Sequence, residues 1–176
     1  MSDKAWIQTF SGKAFHPLDP KVEDICIEDI AHALSQICRF TGNCRKFYSV
    51  AQHSNYVSQL VAPENAMWGL LHDASEAYIA DVSHPVKHTA EMANYRAIEK
   101  GLMFHICKKF GLSLNEPKDV SKADQILLFT EKRDLMGPSP RPWRDGPAPM
   151  AEKIIPWGPE QAEAAFLARY KALGGK

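Results

Sequence analysis

A chain that runs an apolar helix straight into a His-Asp pair has few ways to fold around it. Residues 70–87 read LLHDASEAYIADVSHPVK. Leu70 and Leu71 belong inside a core, yet His72 and Asp73 follow at once, Glu76 comes one turn later, and Asp81 lies just beyond. Polar side chains of this kind are rarely buried without partners. The fold must therefore bring hydrogen-bonding groups to this helix end from elsewhere, or a bound cation must supply the compensation.

The rest of the chain reads as helices able to do this. The sequence has 176 residues, enough for one domain with a sizeable core. Mixed β-formers around Ser11-Gly12 predict a short hairpin over residues 6–17. Ile30, Ala33, Leu34 and Ile37 share one face of a helix over 28–38. Ser49 followed by Gln52 predicts a capping box that opens a second helix, with His53 in it. Pro63 suits the first turn of a third, expected to continue through His72-Asp73 to about Ala80. Longer helices follow over 89–110, stopped by Gly111, and over 117–135, stopped by Gly137. Residues 137–159 hold seven prolines and predict a long loop, with Trp143 and Trp157 as candidates for a subunit contact or a lid. A last helix runs over 159–173. The fold class expected is all-α with a short N-terminal β-hairpin, in one domain over residues 1–176.

Formal net charge is zero with no basic run, which argues against a partner such as a nucleic-acid polymer. The N-terminus has no apolar signal segment, and no stretch approaches the roughly 20 apolar residues of a membrane span. Cys26, Cys38, Cys44 and Cys107 form no CxxC pair and read as free thiols. A soluble, cytoplasmic protein is expected.

On an ideal helix, His72 and Asp73 could reach one cation from either side, and Glu76 would stack above both. Two polar residues inside other apolar helical faces offer further ligands: His53 and Asp124. Imidazole with carboxylate suits Mn²⁺, Fe²⁺, Co²⁺, Ni²⁺ or Zn²⁺. Hydrogen-bonded structural histidines and solvated carboxylates are the alternative for each residue taken singly.

The order His53, His72-Asp73, Asp124 resembles the metal-binding signature of the HD-domain phosphohydrolases. Four blocks extend the likeness to the bacterial 5'-deoxynucleotidase branch: residues 39–54 (RFTGN…YSVAQHS), residues 70–87, YRAIEK at 95–100, and KADQILLFTEKRDL at 122–135. FSGKAF and FYSVAQHS are similar to small phage and prophage members, including those that clear dATP. The chain departs at Phe40, where the deoxynucleotidases carry Trp, and its Arg39-to-His53 spacing is one residue shorter.

The resemblance implies an HD fold with His53, His72, Asp73 and Asp124 holding one divalent transition metal. It implies Glu76 as the group that positions or deprotonates the attacking water, and Arg39 as the group that orients the phosphate. Phe40, Asp81 and Lys87 would join Arg39 in substrate binding, with Asp81 near the sugar. A deoxynucleotide would be the substrate, a monophosphate or a triphosphate, the latter with additional Mg²⁺, and the protein would be a homodimer or hexamer. Two rivals stay open: hydrolysis of a guanosine alarmone or cyclic nucleotide, and a metal- or nucleotide-binding module without catalysis.

Overall fold

The fold is mostly helical in the computed structural model, which describes residues 5–176. A two-stranded antiparallel hairpin, β1 (Ile7–Gln8) and β2 (Ala14–Phe15), pairs Ile7 with Phe15 and turns through Gly12 at φ 84°. Eight α-helices follow: α1 (Ile27–Gln36), α2 (Val50–Leu60), α3 (Ala66–Leu71), α4 (Glu76–Ile79), α5 (His84–Lys87), α6 (Ala93–Phe110), α7 (Lys118–Leu135) and α8 (Pro159–Ala172). The all-α class with an N-terminal hairpin is thus the observed architecture. No helix among the described residues is long and apolar enough to cross a membrane. The four cysteines are free thiols.

Helix α2 is the centre of the packing, against α1, α3, α7 and α8. One apolar cluster gathers Phe15, Ile30, Leu34, Leu70, Leu71, Leu102 and Phe166; another gathers Tyr48, Val57, Trp68, Val120 and Leu127. Val50 and Ala51 of α2 join the first cluster and Val57 joins the second, so His53 lies between them.

Local chemistry explains most boundaries. Ser49 caps α2, its Oγ accepting from the Gln52 backbone N–H at 3.1 Å. The reciprocal half of the expected box is not made. Gln52 instead donates from Nε2 to the Ile155 carbonyl and accepts at Oε1 from the Trp157 N–H, tying the Pro-rich segment to α2. Gly111, in the left-handed region at φ 66°, ends α6 as expected. Gly137 does not end α7. The chain turns out into extended backbone at Met136, and the Leu135 carbonyl accepts from the Arg45 N–H.

The expected continuous helix through His72 to Ala80 is also not what forms. After Leu71 the hydrogen bonds tighten to an i→i−3 pattern: Ala74 to Leu71, Glu76 to Asp73, Ala77 to Ala74 and Tyr78 to Ser75. In such a turn side chains three apart eclipse one another. Glu76 is therefore brought over Asp73 alone, rather than over both His72 and Asp73 as in a regular helix.

Residues 137–158 form no regular element, yet their later half is firmly held. Thr130 Oγ1 accepts from the Met150 N–H, Asp134 from the Ile154 N–H, and the Arg133 guanidinium donates to the Met150 and Glu152 carbonyls.

The close approach of α3 to α2 depends on Gly69. A Cβ there would stand 3.1 Å from Ser58 Cα and 3.2 Å from its nitrogen, backbone atoms that cannot swing aside. Gly69→Ala should cost about 1–3 kcal/mol in chemical denaturation. Unchanged stability would show that the two helices separate freely.

Candidate metal centre

Three helices and one tight turn deliver the polar residues. His53 stands on α2 and is fully buried. His72 and Asp73 lie at the exit of α3, and Asp124 lies on α7. Ligand atoms of His53, His72 and Asp73 all fall within 4.8 Å of one another. The two imidazole Nε2 atoms are 3.3 Å apart, and Asp73 Oδ2 is 3.2 Å from His72 Nε2 and 3.9 Å from His53 Nε2. Asp124 meets the group through His53, with Oδ1 at 3.2 Å from Nε2.

Each histidine uses its other nitrogen elsewhere. Nδ1 of His53 donates to Glu131 Oε1 at 2.6 Å, and Nδ1 of His72 donates to the Gly69 carbonyl at 2.9 Å. These bonds fix the tautomers so that both Nε2 lone pairs face the same point. Two lone pairs at that separation repel unless something positive lies between them.

A divalent ion fits. Ligands about 2.1 Å from a common ion at right or tetrahedral angles stand about 3.0–3.4 Å apart, the range of the closest separations here. Charge agrees as well. Asp73 and Asp124 are held ionised: burial opposes this, but His72, His53 and Arg39 outweigh it, leaving Asp124 at about 2. Glu131 is likewise kept low against its burial by Arg39 and His53. With both imidazoles neutral, as ligands would be, three carboxylates against the Arg39 guanidinium leave two negative charges, which one divalent cation balances.

Arg39 sits beside these groups. Its Nη2 donates to Glu131 Oε2 at 3.0 Å, and Nη1 is 3.6 Å from Asp73 Oδ2. Arg39 Nε is buried with no partner, and so is Oε2 of Glu76. Glu76 is only 5% exposed. Burial, then the charges of Asp73 and Asp81, push its carboxyl well above the usual range, while Arg39 and Lys87 oppose this. A spare donor and a spare acceptor thus remain beside the carboxylate and imidazole cluster.

The remaining expected residues stand further out. Asp81 lies near enough for its charge to be felt by Glu76. Lys87 is ion-paired with Glu99 of α6. Phe40 and Thr41 adopt left-handed backbone at φ 53°, a strained choice for bulky residues. The Phe40 ring rests 5.6 Å from Arg39 Cζ and meets Trp143 of the Pro-rich segment at 6.2 Å between centroids. A groove of about 590 Å³ opens from His72 and Asp73 past Lys87 and Arg96 to Phe104 and Leu114. A smaller hollow of about 330 Å³ under the hairpin, lined by Phe10, His32 and Tyr78, holds none of these groups.

Sequence reasoning missed Glu131. Its signal was available: it follows Asp124 by seven residues, two helical turns, on the stripe that also carries Leu127. A carboxylate on an apolar stripe asks for a partner.

A proton can stand where a cation would. Burial alone would lower the His72 pKa, but the Asp73 charge and hydrogen bond, then Asp124, raise it to about 9. Below that pH an incoming ion must displace the proton. Apparent metal affinity should therefore climb with pH and level off above about 9. Calorimetric titration in two buffers of different ionisation enthalpy should show about one proton released per ion near neutral pH. Release of none would mean that His72 is not a ligand.

No protein-family model matches the chain. It is 41% identical over 172 residues to the uncharacterized protein YfdR of Escherichia coli strain K12, covering 96% of each chain. It is 33% identical over 195 residues to the uncharacterized protein RCAP_rcc00048 of Rhodobacter capsulatus, covering 97% of this chain and 96% of the relative. With identity at this level along nearly the whole of both proteins, the chain belongs to the family that includes YfdR and RCAP_rcc00048.

Proposed function

We propose that this protein is an HD-type phosphohydrolase that acts on deoxynucleotides. What carries the proposal is the pair of Nε2 atoms held 3.3 Å apart beside Asp73 and Asp124, together with two unpartnered buried atoms: Nε of Arg39, whose guanidinium reaches Asp73, and Oε2 of Glu76, whose carboxyl feels the Asp73 charge. A divalent ion held by His53, His72, Asp73 and Asp124 (Mn²⁺, Co²⁺, Zn²⁺, Fe²⁺ or Ni²⁺) would neutralise phosphate oxygens and lower the pKa of water. The deoxynucleotide class is supported by the resemblance of the blocks around Arg39, His72 and Asp124 to the deoxynucleotidases.

The chain's own groups divide the remaining work. The Arg39 guanidinium presents a planar set of donors, which suits two phosphate oxygens better than a lysine would. Its bond to Glu131 holds the fork in place before substrate arrives. Glu76 accepts the proton of the attacking water at Oε2 and returns it to the leaving oxygen. Once ionised, Glu76 is a stronger base than an ordinary carboxylate, because burial and then the charges of Asp73 and Asp81 raise its proton affinity. Lys87 and Arg96 line the groove that starts at His72 and Asp73, where further phosphates or the departing group would lie. Phe40 offers an aromatic face next to Arg39, and Asp81 supplies a polar edge for the sugar. Positioning and charge stabilisation carry most of the catalysis of phosphoryl transfer, so this set suffices.

Purified protein should hydrolyse at least one member of a panel of dNMPs, dNDPs and dNTPs with Mn²⁺, Co²⁺, Zn²⁺ or Mg²⁺. Free phosphate or triphosphate as product separates the two cleavage modes, and additional Mg²⁺ should matter only for a polyphosphate. Glu76→Gln should keep the metal and slow turnover by ~10²-fold or more. A panel with no hydrolysed member, in protein shown to hold metal, would end the proposal. Unchanged turnover of Glu76→Gln would remove that residue from the chemistry.

A further inference from the structure

Glu131 is fully buried and has no direct part in the chemistry above. Its two oxygens serve two different residues. Oε1 takes the proton of His53 Nδ1 at 2.6 Å, and Oε2 takes a guanidinium proton of Arg39 at 3.0 Å. Arg39 turns its other terminal nitrogen to Asp73 Oδ2 at 3.6 Å, and Asp73 in turn lies 3.9 Å from His53 Nε2. The four residues therefore close a ring in which two metal ligands, His53 and Asp73, are joined through Arg39 and Glu131.

We propose that Glu131 is a positioning residue that sets the affinity for the metal by two routes, one through His53 and one through Arg39. Along the first, the buried negative charge at Nδ1 makes the opposite nitrogen of His53 a stronger donor and fixes the tilt of the ring. Along the second, Glu131 holds the guanidinium away from Asp73. Nη2 stands at 3.0 Å from Glu131, while Nη1 stays 3.6 Å from the Asp73 oxygen that the metal needs. Without that hold, the nearest anion for Arg39 is a metal ligand, and the arginine competes with the ion for it. The same carboxylate keeps Arg39 aimed for phosphate, a part that rests on the phosphohydrolase proposal. The effect on metal affinity does not rest on it.

The two routes are separable. Glu131→Gln retains a carbonyl acceptor for Nδ1 but loses the charge and presents an N–H to Arg39. Binding of Mn²⁺ to the metal-free protein, followed by calorimetry or chelator competition, should weaken by about 10- to 100-fold. Adding Arg39→Met removes the competitor, so the double variant should bind Mn²⁺ more tightly than Glu131→Gln alone. Wild-type affinity in Glu131→Gln overturns the proposal. A double variant no tighter than the single overturns the Arg39 route.

The unsubstituted chain offers a check that does not depend on either variant folding. Imidazole ¹⁵N–¹H spectra should show His53 protonated at Nδ1, with a low-field, slowly exchanging proton that persists when Zn²⁺ is added. A His53 ring carrying its proton at Nε2 in both states would contradict the proposal. Neither readout requires that any nucleotide be hydrolysed, so failure of the substrate screen and failure of the Glu131 assignment are distinguishable.

Discussion

Everything at the site depends on holding two imidazole nitrogens face to face across the contact of α2 with α3. With neither a cation nor a proton between them such an arrangement is unfavourable, because both atoms then present lone pairs. It persists because each ring is fixed from behind, one by a carboxylate and one by a backbone carbonyl. The helices can come close enough only because Gly69 has no side chain to set against the Ser58 backbone. Packing, tautomer and ligand geometry are thus one constraint. An aliphatic residue at 69 or an acceptor lost at 131 would reach the same pair of atoms by different routes.

The surrounding charges form a nested set rather than a collection of surface ion pairs. Arg39, Glu131, His53 and Asp73 are linked at distances of 2.6–3.9 Å, and Glu131 is wholly removed from solvent. Buried ions are tolerated when their partners are numerous and well placed. Glu76 stands apart from that balance. Its Oε2 lacks a partner, and burial, then neighbouring negative charge, keeps its proton affinity high. A group in that condition suits proton transfer better than it suits structural support.

Local features were readable in the amino-acid order. The Ser49 cap, the Gly111 stop, the hairpin turn and the His-Asp pair at the end of an apolar run each depend on neighbours a few residues away, and each is found in place. What escaped depends on partners distant in sequence. Gln52 was expected to complete its own cap, but its side chain is taken by residues 155 and 157. Glu131 acquires its role only when α7 meets α2, 78 residues earlier. The tightening after Leu71 was also missed, because residues 72–75 keep a helix-compatible sequence while their hydrogen bonds shift from four residues back to three.

Crystals grown with Mn²⁺ and measured at the manganese absorption edge would test the centre most directly. One anomalous peak per chain is predicted, about 2.0–2.3 Å from His53 Nε2, His72 Nε2 and a carboxylate oxygen each of Asp73 and Asp124. A well-ordered site with no peak between the two histidines, or a peak bound to other residues, would contradict it.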